Sequence, residues 1–207
     1  MRTSSSTLLV SAPHSDRKLL RKVLRERRRA LTPSEQKAAA RRLALQLSQV
    51  PALQRATDIA VYLPNDGEID PTPFMKMASA WGKRFYLPVL HPFYPGRLAF
   101  RRYRIGEPLR PNRFGIPEPQ FRTQRDGRAP WGLDAVLLPL VGFDREGGRL
   151  GMGGGFYDRT FACRKRSRHY GPTLLGLAHD CQQVEKLPLE SWDIPLDGVV
   201  TDRDRLL

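Results

Sequence analysis

The chain has 207 residues, 40% of them hydrophobic, and a formal charge of +14. That length and apolar content suit one folded domain and exclude a chain disordered throughout. No apolar run approaches the roughly 20 residues that cross a bilayer, so a membrane-spanning helix is not expected. The apolar patch in "MRTSSSTLLVSAPHSDRK" is too short for the core of a signal peptide. Residues 1–14 therefore read as a disordered tail and 15–207 as a single α/β domain, cytoplasmic and monomeric. Cys163 and Cys181 have no metal-ligand spacing and read as thiols of a cytosolic chain. His14, His91, His169 and His179 form no paired motif, and no structural zinc is expected.

Leu19, Leu20, Val23, Leu24 and Leu31 recur at helical spacing, with Ser15 or Asp16 available as N-cap. In "LTPSEQ", Thr32, Pro33 and Glu35 form a capping box that opens a second helix running to about Ser48. The two are expected as an antiparallel basic pair. Between Arg17 and Arg42, eleven Lys and Arg stand against Glu26 and Glu35. Such a run is a solvated helix face, a polyanion-binding surface, or a source of cations for a small phosphate ligand.

"DIAVYLP" (58–64) reads as a strand, and Asp70 caps a helix with Phe74, Met77, Ala78 and Trp81 on one face. That stripe makes Trp81 a core residue. Strands are expected at 83–89 and 98–104, and a long surface excursion over 105–132. "LDAVLLPLVGF" (133–143) is nearly continuous apolar sequence, as a central parallel strand requires. A helix from about Phe156 to Lys165 and strands at 173–179 and 197–202 complete the pattern. This alternation predicts a three-layer α/β/α fold with a mainly parallel sheet.

"GRLGMGGGFYDR" (148–159) falls between the central strand and the next helix, where ligands of such sheets bind. Its glycines free backbone N–H groups to cradle phosphate, and the helix start adds partial positive charge. Arg149 offers a fork of donors. Asp158 suits Mg²⁺, which one or two carboxylates hold together with substrate phosphates. The stretch lacks the Gly-Lys-Ser/Thr ending of a Walker A loop and the spacing of a Rossmann fingerprint.

"LPLVGFDREGGRLGMGGGFYDR" closely resembles the signature of the 5-formyltetrahydrofolate cyclo-ligase family. "RKLLRKVLRERRRAL", "VYLPNDGEIDPTPFM", "FGIPEP" and "LPLESWDIPLDGVVT" are similar to its other segments in the same order, from about Arg17 to Thr201. The resemblance implies the fold shared with sugar-phosphate isomerases and CoA transferases. It also implies conversion of 5-formyltetrahydrofolate, with ATP and Mg²⁺, to 5,10-methenyltetrahydrofolate, ADP and phosphate. By resemblance, Arg17 and Arg21 contact ATP phosphates, with Lys18 an alternative to Arg17. Arg149, Leu150, Gly151, Met152, Gly153, Gly154, Gly155, Phe156 and Tyr157 form the nucleotide loop. Arg149 and Tyr157 carry catalysis, and Asp158 and Asp193 hold the metal. Glu68 binds the folate, with Leu63, Phe156 and Tyr157 lining its pocket and Tyr86 and Trp192 as further aromatic candidates. Some members have Lys where Gly154 stands, so phosphate neutralisation here falls more on Arg149, the first helix and Mg²⁺. The surplus positive charge suits a polyglutamylated folate. The competing reading is a basic RNA-binding protein using the 17–42 helices.

Overall fold

A computed structural model describes residues 13–113, 115–120, 126–165 and 171–207, with side chains from Arg17 onward. The predicted tail at 1–14 falls almost wholly outside them, as does His169.

Helix α1 spans Pro13–Arg29, so Ser15 and Asp16 lie within its first turn and do not cap it. Helix α2 spans Pro33–Ser48. Its start is the expected capping box: the Glu35 N–H donates to Thr32 Oγ1 and the Thr32 N–H donates to Glu35 Oε2 at 2.8 Å. The pair does not form a hairpin. Helix α1 lies mainly against the turn at Asp180–Gln182, whereas α2 packs on helix α4 (Thr72–Ser79) and strand β11 (Gly198–Thr201). The reason is the placing of apolar side chains. Ala39, Ala40, Leu43, Ala44 and Leu47 give α2 a continuous apolar stripe, whereas among the described residues of α1 Leu24 is the one buried apolar side chain.

The sheet has the order β12-β11-β10-β7-β1-β2-β3-β6. Its centre is parallel: β11, β10 (Thr173–Ala178), β7 (Ala135–Pro139), β1 (Asp58–Ala60) and β2 (Arg84–Leu90). Antiparallel strands close both edges: β12 (Arg205–Leu206) at one, and β3 (Leu98–Tyr103) with β6 (Gly127–Arg128) at the other. The 105–132 excursion thus returns an edge strand to the sheet. It also makes a separate hairpin, β4 (Leu109–Pro111) with β5 (Pro117–Pro119).

Strand alternation divides the core into two layers. Ile59, Phe85, Leu87, Ala135, Leu137, Leu175 and Val200 face α2, α4 and the short helix α3 (Pro51–Arg55). Ala60, Val136, Leu138, Leu174, Ala178 and Val199 face the opposite side, with Phe161 and Ile194. Strand β7 is buried on both faces, which is why its sequence is apolar without alternation. The three-layer α/β/α arrangement with a mainly parallel sheet is as expected.

The helical stripe of α4 is rotated from the one predicted. Phe74, Met75 and Ala78 are buried, whereas Trp81 lies past the helix end and is 52% exposed, so it is not core. Asp70 does support the helix start, its Oδ1 accepting the Thr72 N–H at 2.8 Å. Among the described residues, no helix is long and apolar enough to cross a membrane. Cys163 and Cys181 are free and exposed.

Candidate functional site

Beyond the carboxyl ends of β1, β2 and β7 lies a cavity of about 880 Å³, within the usual range for small-molecule sites. One side is the glycine loop. After β7 the chain makes a short hairpin, β8 (Gly142–Phe143) with β9 (Arg149–Leu150). Asp144 ties its turn, accepting N–H groups of Glu146 and Gly148 on Oδ1 and of Leu187 on Oδ2. The chain then runs through residues 151–155 into helix α5 (Phe156–Thr160). Among the described residues, no N–H from Gly151 to Gly155 donates to another protein group. Gly153 and Gly155 have φ of +95° and +62°, a backbone that side-chain-bearing residues rarely adopt. The helix expected over 156–165 is broken: α5 has five residues and gives way to a tighter turn at Ala162–Lys165. So short a helix contributes little dipole, and the cations around the loop carry the positive charge.

Those cations are held in place. Arg21 donates from Nε to the Gly151 carbonyl at 2.8 Å. Its partial burial and the charge of Arg17 lower its pKa from the usual arginine value, with Asp193 acting in the other direction. Arg149 is buried, donating from Nε to the Ile194 carbonyl at 2.9 Å and from Nη2 to Asp158. Arg17 grips Asp193 with two bonds, at 2.8 and 3.2 Å. Burial works to raise the Asp193 pKa, but the hydrogen bonds from Arg17 and the Glu190 N–H, together with the charges of Arg17 and Arg149, outweigh it and hold the carboxyl below its usual range. Arg159 donates to the carbonyls of Gly96 and Gly154 and stacks over Phe156 at 5.5 Å.

The opposite side is the loop Asn65–Glu68. Glu68 Oε2 accepts the Asn65 N–H at 3.1 Å, and its side chain is 11% exposed. Burial pushes its pKa up to about 7, against the nearby positive charge of Arg28. Desolvation, aided by the charge of Glu68, raises the phenols of the buried Tyr62 and the half-buried Tyr157 well above their usual values. Tyr157 stays a neutral hydroxyl, whereas the Tyr62 hydroxyl is committed to the Ile69 carbonyl at 2.7 Å.

Most of the sequence-selected residues converge here: Arg17, Arg21, Leu63, Glu68, Arg149, Gly151 to Asp158, Trp192 and Asp193 all line the cavity. Three do not. Lys18 points to solvent, leaving Arg17 as the cation on this side of α1. Leu150 is fully buried in a small core with Leu24, Val141 and Leu187, because β9 pairing turns its side chain away from the loop. Tyr86 sits at the far end of the sheet, its hydroxyl bonded to Asp58 at 3.0 Å. Sequence reading missed Asn65, Asp66 and the hairpin residues Asn112 and Glu118. Glu118 accepts the Leu90 N–H at 2.9 Å and an Asn112 amide N–H at 2.8 Å, fixing the β4–β5 hairpin as a wall. The motif "FGIPEP" marked this turn without indicating that it faces the cavity.

The two acids that the resemblance gives to the metal both have protein partners. Both Asp193 oxygens are engaged by Arg17, and Oδ2 accepts the Glu190 N–H as well. Asp158 uses Oδ1 for Arg149 and the Ile194 N–H, and its Oδ2 has no hydrogen-bond partner among the described residues. Among the described residues, no group of three or more His, Cys, Asp or Glu is placed to hold a metal. One open carboxylate oxygen beside a phosphate cradle fits Mg²⁺, which takes most of its ligands from phosphate and water. The basic stretch is likewise partly consumed within the protein: Arg17, Arg25, Arg28 and Arg42 are all ion-paired. That weakens the RNA-binding reading.

The 5-formyltetrahydrofolate cyclo-ligase family model matches residues 13–202. The 5-formyltetrahydrofolate cyclo-ligase of Escherichia coli (strain K12) is 48% identical over 179 residues, covering 86% of this chain and 96% of its own. That of Haemophilus influenzae is 41% identical, covering 89% and 96%. The solved structure of Aquifex aeolicus 5,10-methenyltetrahydrofolate synthetase superposes with a TM-score of 0.75 at 29% identity, covering 91% of each chain. The cavity, its glycine loop and its arginines are thus those of an enzyme, and the chain belongs to the 5-formyltetrahydrofolate cyclo-ligase family.

Proposed function

We propose that the cavity cyclises 5-formyltetrahydrofolate at the expense of ATP. The formyl oxygen attacks the γ-phosphorus, the bond to ADP breaks, and an imidate phosphate forms. N10 then attacks the same carbon and loses its proton, and the carbon–oxygen bond breaks to release phosphate. The product is 5,10-methenyltetrahydrofolate. The observation that carries this reading is the opening of the glycine loop and Glu68 onto one cavity.

Phosphoryl transfer asks mainly for positioning and charge neutralisation. The free amides of 151–155 cradle the triphosphate, and Arg21 and Arg149 neutralise it. Asp158 Oδ2 would hold Mg²⁺, which supplies charge neutralisation between the phosphates. Asp193 serves instead to orient Arg17. The neutral Tyr157 hydroxyl donates a hydrogen bond to the reacting oxygen. Ionised Glu68 accepts from the N–H groups of the pterin ring, with Leu63 and Phe156 against its faces.

The test is to mix the protein with 5-formyltetrahydrofolate, ATP and Mg²⁺ and follow methenyltetrahydrofolate by its ultraviolet absorbance, with ADP measured in parallel. One ADP per product is expected. Product formation without nucleotide would overturn the coupling.

A further inference from the structure

We propose that Arg28 is a positioning residue for this reaction, holding Glu68 and its loop in register with the α1 arginines that face the glycine loop. The inference rests on Glu68 being the folate carboxylate.

Arg28 is 0% exposed, an unusual setting for a guanidinium. Its fork is spent on the folate side of the cavity. Nε donates to the Asp66 carbonyl at 2.8 Å, Nη2 to Asp66 Oδ2 at 2.9 Å, and Nη1 to the Leu140 carbonyl at 3.1 Å. Nη2 also stands 3.8 Å from Glu68 Oε1, an ion-pair distance without a close hydrogen bond. Gln36 straps the two segments together, its amide donating to the carbonyls of Arg28 at 3.0 Å and Gly67 at 3.4 Å.

Arg17, Arg21 and Arg28 are spaced four and seven residues apart, which puts them on one stripe of α1 about 16 Å long. One end of that stripe meets Asp193 and Gly151, and the other meets Asp66 and Glu68. A single rigid helix therefore sets the distance between the nucleotide and folate sides.

The charges facing Glu68 are few. Arg28 comes from α1, Asp66 from its own loop, and the neutral phenols Tyr62 and Tyr157 from the segment after β1 and from α5. Arg149 acts on Tyr157 from behind. His179, beside Gly67 and Arg28, is kept neutral near pH 7 by burial. Asp66 is held down at about 2, because its bonds to Arg25, Arg29 and Arg28 outweigh its burial. It therefore stays charged throughout the working range. Arg28 favours the ionised form of Glu68, and Asp66 opposes it.

The experiment is the pH profile of kcat/KM for 5-formyltetrahydrofolate at saturating Mg-ATP in four variants, with folded fraction checked by circular dichroism. Arg28→Met should raise the folate KM and move the acid limb to higher pH by about 1–3 units, the effect of losing one nearby charge. Arg28→Lys keeps the charge without the fork, so the folate KM should rise with the limb near its original place. Asp66→Asn should move the limb to lower pH. Opposite shifts from two neighbouring substitutions are not the signature of general structural damage. Should Arg28→Met fail to fold, the direction of the Asp66→Asn shift decides. An unmoved limb in Arg28→Met, or in Asp66→Asn where Arg28→Met does not fold, would overturn the role of Arg28. Glu68→Gln separates the two failures: an unchanged folate KM and limb in that variant would instead remove Glu68 from the folate.

Discussion

Arg149 and Asp158 form an ion pair at the edge of the cavity, their side chains 7% and 19% exposed. The pair joins two residues nine apart: the cation is locked in place, and the second carboxylate oxygen has no partner among the described residues. Asp158→Ala is expected to lower turnover by at least about 100-fold, the scale of losing a preorganised electrostatic contact. It should also cost roughly 3 kcal/mol in urea unfolding, because Arg149 would be left buried without its partner. Full turnover in that variant would remove Asp158 from the reaction.

Arg21 touches the loop through Gly151, in the part of the cavity proposed for the nucleotide. Arg21→Ala should raise KM for ATP about 10-fold or more, the equivalent of one charge-assisted hydrogen bond, with the folate KM little changed. Steady-state kinetics with each substrate varied in turn would check this, and equal effects on both would contradict it.

Asp193 orients Arg17 through both oxygens. Asp193→Asn should therefore raise the ATP KM and leave the Mg²⁺ concentration for half-maximal rate unchanged. A metal ligand would behave oppositely, so titrating Mg²⁺ at fixed ATP distinguishes the two roles.

Glu68 carries a cost to stability. Its folded pKa of about 7 lies above the ordinary value of 4.5, so the folded state binds its proton more readily than the unfolded chain does. Its stabilising contribution is full below the ordinary value and is lost as pH rises through about 7. Glu68→Gln removes that loss, and above pH 7 the variant should be more stable by on the order of 3 kcal/mol. Thermal or urea unfolding at pH 4 and pH 8 would show nearly all of the difference at the higher pH. Stabilisation equal at both would contradict it.

Much of this architecture could be read from the residues. The capping box at Thr32–Glu35 and the uninterrupted apolar run over 133–143 are local signals: α2 formed where it was expected, and β7 formed inside that run, at Ala135–Pro139. The glycine loop with Asp158 was legible because its chemistry is contiguous in the chain. What failed depended on tertiary partners. Nothing near Arg28 announces burial; that follows from Asp66 and the Leu140 carbonyl, 38 and 112 residues away. Leu150 lay inside the nucleotide motif, yet strand pairing with Gly142 turned it into the core. Trp81 shared a helical period with Phe74 and Ala78, but α4 ended before reaching it. The bonds from Arg17 to Asp193, the acid that the resemblance gives to the metal, likewise appear only in the fold.

The contact between Arg17 and Asp193 joins positions 176 residues apart. A partly folded chain with the 188–194 segment undocked would keep most of its sheet but lose one wall of the nucleotide half. Under the proposed function, occupancy by nucleotide would be tied to completion of the fold. An ATP analogue at 100 times its Kd should protect the whole domain against denaturation by about 2.7 kcal/mol. Resistance to proteolysis would then rise and fall with the cell's supply of nucleotide.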